Sequence, residues 1–369
     1  MKKIAIVHDY LKEYGGAERV VEELIKIYPQ AHLYTTIYMP EYLGPHAKRF
    51  ENYEITTTWL QKLPVKGKII SYVRLIAPFI FKQLDLSSYD VVITSAAGTY
   101  TSPNFIKRGK KTKLICYCHT PPRYLYGYKT ANNWDANLGK KALKALGAVP
   151  MHFLRIADFE ASQRPDIFIA NSQEVRSRIE KFYRRDARVI YPPVHLPNVV
   201  KGKKEQYFLA GGRLARAKGM DVIIKAFKRN GLPLIVFGRG FAGYEEELRK
   251  MASKNVTFVG EVNDERKYEL MAGAKAFVFA SYDEDFGITP VESMGVGTPV
   301  IAYRSGGVKE SVIDGKTGIF FDENTPEALN LAIAQLRQTH IKEDDCMIQA
   351  EKFSEKEFDR KIKEIVENA

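Results

Sequence analysis

Two glutamates with seven residues between them, Glu284 and Glu292, are the first feature able to do chemistry; they lie in SYDEDFGITPVESMGVGTPVIA, residues 281–302. An apolar strand ends at Ala280, an acidic loop follows, and Gly287 permits a backbone angle that other residues disfavour. Thr289 and Pro290 then open a helix, with proline in a favoured first position. The N–H groups of Gly287, Ile288 and Thr289 would make an anion site at that helix start, suited to a phosphate. One carboxylate is then placed to reach a sugar, the other to accept hydrogen bonds from a pair of ribose hydroxyls. Taken alone, the pair is equally compatible with a turn acid and a solvated helix residue.

A second group is GGRLARAKG, residues 211–219, directly after a strand. Arg213 and Lys218 emerge from one strand-to-helix loop, so both cations can converge on a dianionic group and stabilise charge developing on a departing diphosphate. A surface-exposed basic turn is the plainer alternative. In HDYLKEYGGAERVV, Gly15 and Gly16 let the backbone approach a ligand just before a helix whose positive end points the same way. In CHTPPR, residues 118–123, His119 ends an apolar strand and can hydrogen-bond a sugar hydroxyl, although any single histidine is more often a satisfied structural one.

These groups need elements to hold them, and short β-branched runs alternating with helical patterns supply parallel α/β units. Strands are predicted at Lys3–His8, His32–Ile37, Val91–Ser95, Leu114–Cys118, Ile167–Ala170 and Arg188–Tyr191, with helices at Ala17–Ile27 and Ser172–Phe182 among them. The proline-rich YPPVHLPNVVKGKKEQ breaks the pattern and places a domain boundary near residue 195. A second series follows at Tyr207–Ala210, Leu234–Phe237, Val256–Val259, Ala276–Phe279, Pro299–Ala302 and Ile319–Phe321. The expected architecture is therefore α/β, with two doubly wound domains, residues 1–195 and 196–353, facing across a ligand cleft. Ser354–Val366 reads as a helix with Phe358, Ile362, Ile365 and Val366 on one face.

At 369 residues the chain is long enough for two cores, and no apolar run approaches the roughly 20 residues of a membrane span. The opening MKKIAIVHDY reads as a first strand rather than a signal peptide, because its apolar run stops at His8. Cys116, Cys118 and Cys346 lack the spacing of a disulfide framework or zinc site, which fits a reducing cytoplasm. The net charge of +12 is concentrated: residues 1–197 hold 30 Lys and Arg against 17 Asp and Glu, the remainder 26 against 27. Between Glu54 and Asp85 there is no acid, and Lys62, Lys66, Lys68, Arg74 and Lys82 alternate with Trp59, Ile69, Ile70, Tyr72, Val73, Leu75, Ile76, Phe79, Ile80 and Phe81. That pattern is a basic amphipathic surface, either simply solvated or in peripheral contact with anionic lipid. No nucleic-acid-binding signature accompanies it.

In order along the chain these motifs resemble family four of the retaining, glycogen-synthase-like glycosyltransferases, which have the GT-B fold. The resemblance rests on Gly15–Gly16, His119–Pro121, Asn171–Ser172, Gly212–Arg213, Lys218–Gly219, Glu284 with Glu292, and Gly306–Gly307 with Glu310. It implies that His119, Glu284, Arg213 and Lys218 carry the chemistry. It also implies a donor site drawn from Gly15, Gly16, Arg213, Lys218, Gly238, Gly260, Glu261, Val262, Glu284, Phe286, Gly287, Ile288, Thr289 and Glu292. The nucleotide base would lie against Gly260–Val262, and Glu292 would hold the ribose. The leaving phosphate itself would draw the acceptor proton, so no nucleophile is assigned. The terminal helix, residues 354–369, would cross back to the acceptor-binding first domain. Around YDEDFGITPVESM and CHTPPRYLYGY the resemblance is greatest to bacterial mannosyltransferases of polysaccharide assembly. This implies GDP-mannose, with a UDP-sugar as the alternative, and a glycan or polyprenyl-diphosphate-linked acceptor.

Two motifs point elsewhere. Gly238, Gly240 and Gly243 spell GxGxxG, the fingerprint of an NAD-dependent oxidoreductase, but they follow the second strand of their domain, with no acid at a strand end about 20 residues on. Asp283–Glu284–Asp285 imitates an acidic metal motif, yet Arg213 and Lys218 already supply countercharge, so no metal or other cofactor is expected. A non-catalytic nucleotide-sugar-binding protein would retain Arg213 and Glu292 but need not retain Glu284 and His119.

Overall fold

The computed structural model describes residues 2–64, 72–100, 103–128, 148–197, 204–240 and 243–369. Lys66, Lys68, Ile69 and Ile70 of the basic stretch, the middle of the proline-rich boundary, and two residues of the GxGxxG motif lie outside these.

The chain divides into two compact units, one of Met1–Pro193 with Phe358–Ala369, the other of Val194–Glu357. The first holds a seven-stranded sheet built from β1 (Ile4–His8), β2 (His32–Thr35), β3 (Ile55–Thr57), β4 (Val91–Ala96), β5 (Lys113–Cys118), β6 (Ile167–Ala170) and β7 (Arg188–Val189). Its order is β3-β2-β1-β4-β5-β6-β7, every pair parallel. The second unit holds β8 (Phe208–Gly211), β9 (Leu234–Phe237), β10 (Val256–Gly260), β11 (Phe277–Phe279), β12 (Val300–Tyr303) and β13 (Gly318–Phe321). Here the order is β10-β9-β8-β11-β12-β13, again all parallel. Both are doubly wound, Rossmann-like sheets, and the winding direction reverses between β1 and β4 in one and between β8 and β11 in the other.

Because helices cover both faces, the central strands are apolar along their length rather than alternating: all of β1 and all of β4 are buried. The strand missed by the sequence reading is β3. It is three residues long, half-buried and rich in threonine, pairing with β2 at the sheet edge as Leu33 opposite Ile55. Helix Gln173–Tyr183 begins one residue later than expected because Ser172 is its cap, with Oγ accepting from the Val175 N–H at 3.1 Å.

The last helix, Glu355–Glu367, buries Phe358, Ile362, Ile365 and Val366 in the core of the first unit, the spacing of one helical face. Phe358 packs edge-on against Tyr117 of β5, with ring centres 5.9 Å apart. Each of these side chains contributes about 1.5–3 kcal/mol by leaving water, enough to secure a short helix that would be marginal alone. Lys2 Nζ donates to the Val366 and Glu367 carbonyls at 2.9 and 3.1 Å, a cation on the negative helix end.

Candidate active site

In a doubly wound sheet, ligands bind at the strand carboxyl ends where the winding reverses. In the second unit that point lies between the loop after β8, which carries Arg213 and Lys218, and the loop after β11, which carries Glu284. The Tyr282 N–H bonds the Ala217 carbonyl at 2.9 Å and ties the two loops together. Lys218 Nζ then donates to Glu284 Oε2 at 2.6 Å, and Ser281 Oγ donates to the same oxygen at 2.5 Å. A third of the Lys218 side chain and a fifth of Glu284's remain exposed, 33% and 19%, so this pair faces solvent at the switch point. Arg213 is exposed on the same loop, whereas Arg216 turns away into a two-bond pair with Glu247 at 2.6 and 2.7 Å. The basic loop thus separates into a structural arginine and two cations at the strand end.

The acidic loop is fixed from its other side. Gly307 N–H donates to the Glu284 carbonyl at 2.8 Å, and the Asp283 N–H donates to Ser305 Oγ at 3.1 Å. Gly287 takes φ 90°, and the following helix runs from Ile288 to Gly295. It starts one residue before the expected position, which makes Pro290 its third residue; a first-turn N–H has no partner in the helix to lose. Phe286, expected to meet the donor, is 2% exposed with its ring 5.3 Å from Phe353, so its side chain belongs to the packing.

Glu292 is no solvated helix residue. It is 2% exposed, and its Oε1 accepts from Lys267 Nζ at 2.7 Å, with the Tyr268 hydroxyl oxygen 3.5 Å away. Lys267 also donates to Asp264 at 2.8 Å, and the Tyr268 hydroxyl donates to the His195 carbonyl at 2.8 Å. Neither Lys267 nor Tyr268 could be found from sequence, since they sit on a separate helix, Asp264–Gly273, with no motif to mark them.

The GxGxxG fingerprint has a packing cause. A Cβ on Gly238 would lie 1.8 Å from the Gly212 carbonyl oxygen, and its φ is 121°. The loops after β8 and β9 cross there with no room for a side chain. The Gly238 N–H also donates to the Gly260 carbonyl at 2.7 Å. At the end of β10, Glu261 is exposed and Val262 half-buried.

In the first unit the reversal between β1 and β4 gathers a buried polar chain. Gly15 caps helix Gly16–Ile27, and its N–H donates to Glu18 Oε2 at 2.8 Å. Glu18 Oε1 lies 3.5 Å from His8 Nε2. His8 Nδ1 lies 3.0 Å from Ser95 Oγ and 3.2 Å from the Ser95 carbonyl, and the same Oγ lies 2.9 Å from His119 Nε2. Burial alone would lower His8, but the Glu18 hydrogen bond and charge, with Asp9 and the Ser95 carbonyl, hold it above the ordinary histidine value. His119 is pushed down to about 3, first by burial and then by the charge of His8. Burial lifts Asp9 to about 6 against the opposing charge of His8. Sequence reasoning found Gly15, Gly16 and His119 but missed His8, Ser95 and Glu18.

Among the described residues, no three His, Cys, Asp or Glu side chains gather as a metal site. Residues 14–197 match the description "Glycosyltransferase Family 4", and residues 195–353 match "Glycosyl transferases group 1". The chain belongs to glycosyltransferase family 4. It is therefore a glycosyltransferase, and the family implies a nucleotide-sugar donor. It is 25% identical to the alpha-1,3/1,6-mannosyltransferase ALG2 of Mus musculus, over 88% of this chain and 85% of that one. Its fold matches Anabaena Alr3699/HepE, solved in complex with UDP and glucose, at a TM-score of 0.70 and 18% identity over the whole of both chains. Sucrose-phosphate synthase from Thermosynechococcus elongatus superimposes at 0.73 and 15% identity, over 100% of this chain and 99% of that one. These two likenesses establish the GT-B fold of a family 4 enzyme.

Proposed function

We propose that this chain is a retaining, metal-independent hexosyltransferase that moves mannose from GDP-mannose onto a glycan or polyprenyl-diphosphate-linked acceptor in surface polysaccharide synthesis. The observation that carries the reading is the Lys218–Glu284 pair at the switch point of the second sheet, 2.6 Å apart and open to solvent. A diphosphate entering there meets Lys218, Arg213 and the N–H groups at the start of helix Ile288–Gly295, and it draws Lys218 off Glu284. The freed carboxylate is then available to the donor sugar. Negative charge that grows on the leaving diphosphate is met by groups already in place, the arrangement that lowers a transfer barrier without a metal ion. Glu292 serves the ribose, and His119 serves a hydroxyl of the donor sugar. Similarity to ALG2 along most of the chain supports mannose. Turnover of a panel of GDP- and UDP-sugars tests the reading, with GDP-mannose expected to be consumed fastest and to raise the melting temperature most.

The acceptor's setting is read from the first unit. Trp59, Tyr72, Leu75, Ile76 and Phe79 point outward, Tyr72 and Phe79 by 75% and 65%, whereas Val73, Ile80 and Phe81, expected on the same surface, are buried in the core with Ala77, so one face of the stretch packs inward. Lys82 Nζ lies 5.7 Å from the Phe79 ring centre. Outward aromatics among lysines favour an anionic membrane surface, as interfacial elements do. No helix among the described residues is long and apolar enough to cross a membrane. Vesicles containing anionic lipid should co-sediment the protein, and Phe79→Ser should weaken that binding; equal binding to neutral vesicles would contradict it.

A further inference from the structure

The chain Glu18, His8, Ser95, His119 constrains where its protons sit. His8 Nε2 faces a carboxylate and Nδ1 faces a backbone carbonyl at 3.2 Å, two groups that only accept. Donation from both ring nitrogens, the arrangement that satisfies both acceptors, makes the His8 ring an imidazolium, in keeping with its raised pKa beside Glu18. Its Nδ1–H also points at Ser95 Oγ, 3.0 Å away, and occupies that oxygen as an acceptor. The Ser95 hydroxyl proton is left for the other neighbour, His119 Nε2, at 2.9 Å. An acceptor at Nε2 means that His119, neutral because burial and the His8 charge depress it, carries its single proton on Nδ1.

We propose that Ser95 is a positioning residue, backed by the His8–Glu18 pair, that locks His119 in the neutral Nδ1–H tautomer and so fixes which nitrogen of His119 donates to a ligand. All four side chains are buried, Ser95 completely, so water does not offer the hydroxyl another partner. The four come from different elements: Glu18 from the helix after β1, His8 from the end of β1, Ser95 from β4 and His119 from the residue after β5. The parallel register sets His8 directly opposite Ser95. A short hydroxyl on β4 is thus needed to span the two rings across adjacent strands, and the HDY segment thereby has a task outside the donor site. The inference rests on the role given above to His119 at the donor sugar, since only then does its tautomer affect transfer.

Nitrogen-15 spectra of the imidazoles in the resting protein read the tautomer without any substrate, and with seven histidines the signals can be assigned by His119→Gln and His8→Gln. The expected result is a His119 ring protonated on Nδ1 alone and a His8 ring protonated on both nitrogens. Ser95→Ala should release His119 into a tautomer mixture and lower kcat about 10–100-fold, the scale seen when the partner that orients a functional histidine is lost. KM for the donor should change little, and Ser95→Thr, which keeps the hydroxyl, should restore most of the rate. Melting curves of each variant separate this from loss of fold, and His8→Gln provides a second break in the same chain. A His119 ring protonated on Nε2, or one unchanged in tautomer by Ser95→Ala, overturns the proposal. If the tautomer is released as expected but the rate stays unchanged, the lock stands and the role given to His119 in transfer is what fails.

Discussion

Lys218→Ala is expected to lower kcat by about 10²–10³-fold, the loss that follows removal of one preorganised charge-stabilising group. Arg213→Ala should act in the same direction. The two effects differ in origin. Lys218 has a carboxylate 2.6 Å away in the resting protein, so alanine there removes a cation from the diphosphate and also takes from Glu284 the ammonium that shares Oε2 with the Ser281 hydroxyl. Arg213 is exposed on the same loop where Lys218 is half-buried, and its removal should show more in KM than that of Lys218. Arg216→Ala is the internal control. Its guanidinium is committed to Glu247, so transfer should continue at close to the parental rate. Initial rates with saturating donor decide the matter. Near-parental kcat for Lys218→Ala would show that the diphosphate is held elsewhere.

Lys267→Met is expected to destabilise the protein by about 3–5 kcal/mol, because it breaks the 2.7 Å ion pair made by the Glu292 carboxylate, itself 2% exposed. The Tyr268 hydroxyl, 3.5 Å away with its proton on the His195 carbonyl, does not replace an ammonium at 2.7 Å. The urea midpoint should fall accordingly. Combining Lys267→Met with Glu292→Leu should recover much of the loss, since two apolar groups in place of a buried pair cost far less than one stranded charge. The double variant should nevertheless bind donor poorly, because Glu292 is the residue given to the ribose. A loss under about 1 kcal/mol for Lys267→Met would mean that water reaches the carboxylate, and the pair would then not be the device that orients it.

Much of this was legible in the sequence because it rests on local rules. The β-branched runs gave both parallel sheets, since strands buried on two faces cannot alternate, and Gly287 before an apolar helical run marked the helix start. The apolar residues 358, 362, 365 and 366 gave the face of the last helix. What stayed hidden was set by contacts distant along the chain. Lys267 meets Glu292 from 25 residues away, and Ser95 joins His8 to His119 only because β1, β4 and β5 are neighbours in the sheet. The GxGxxG motif misled for a related reason. Its first glycine answers a crossing of two loops within the sheet, and nothing in the local sequence separates that cause from the approach of a pyrophosphate.

The proposed reaction is sugar transfer from a nucleotide diphosphate with the anomeric configuration kept, on charges supplied by the protein itself. Proton NMR of the product formed from GDP-mannose, in buffer containing a chelator, tests it most directly. Turnover is expected to persist with chelator, and the newly formed glycosidic bond to have the α configuration of the donor. A β-linked product, or transfer that stops when divalent ions are removed, would contradict it.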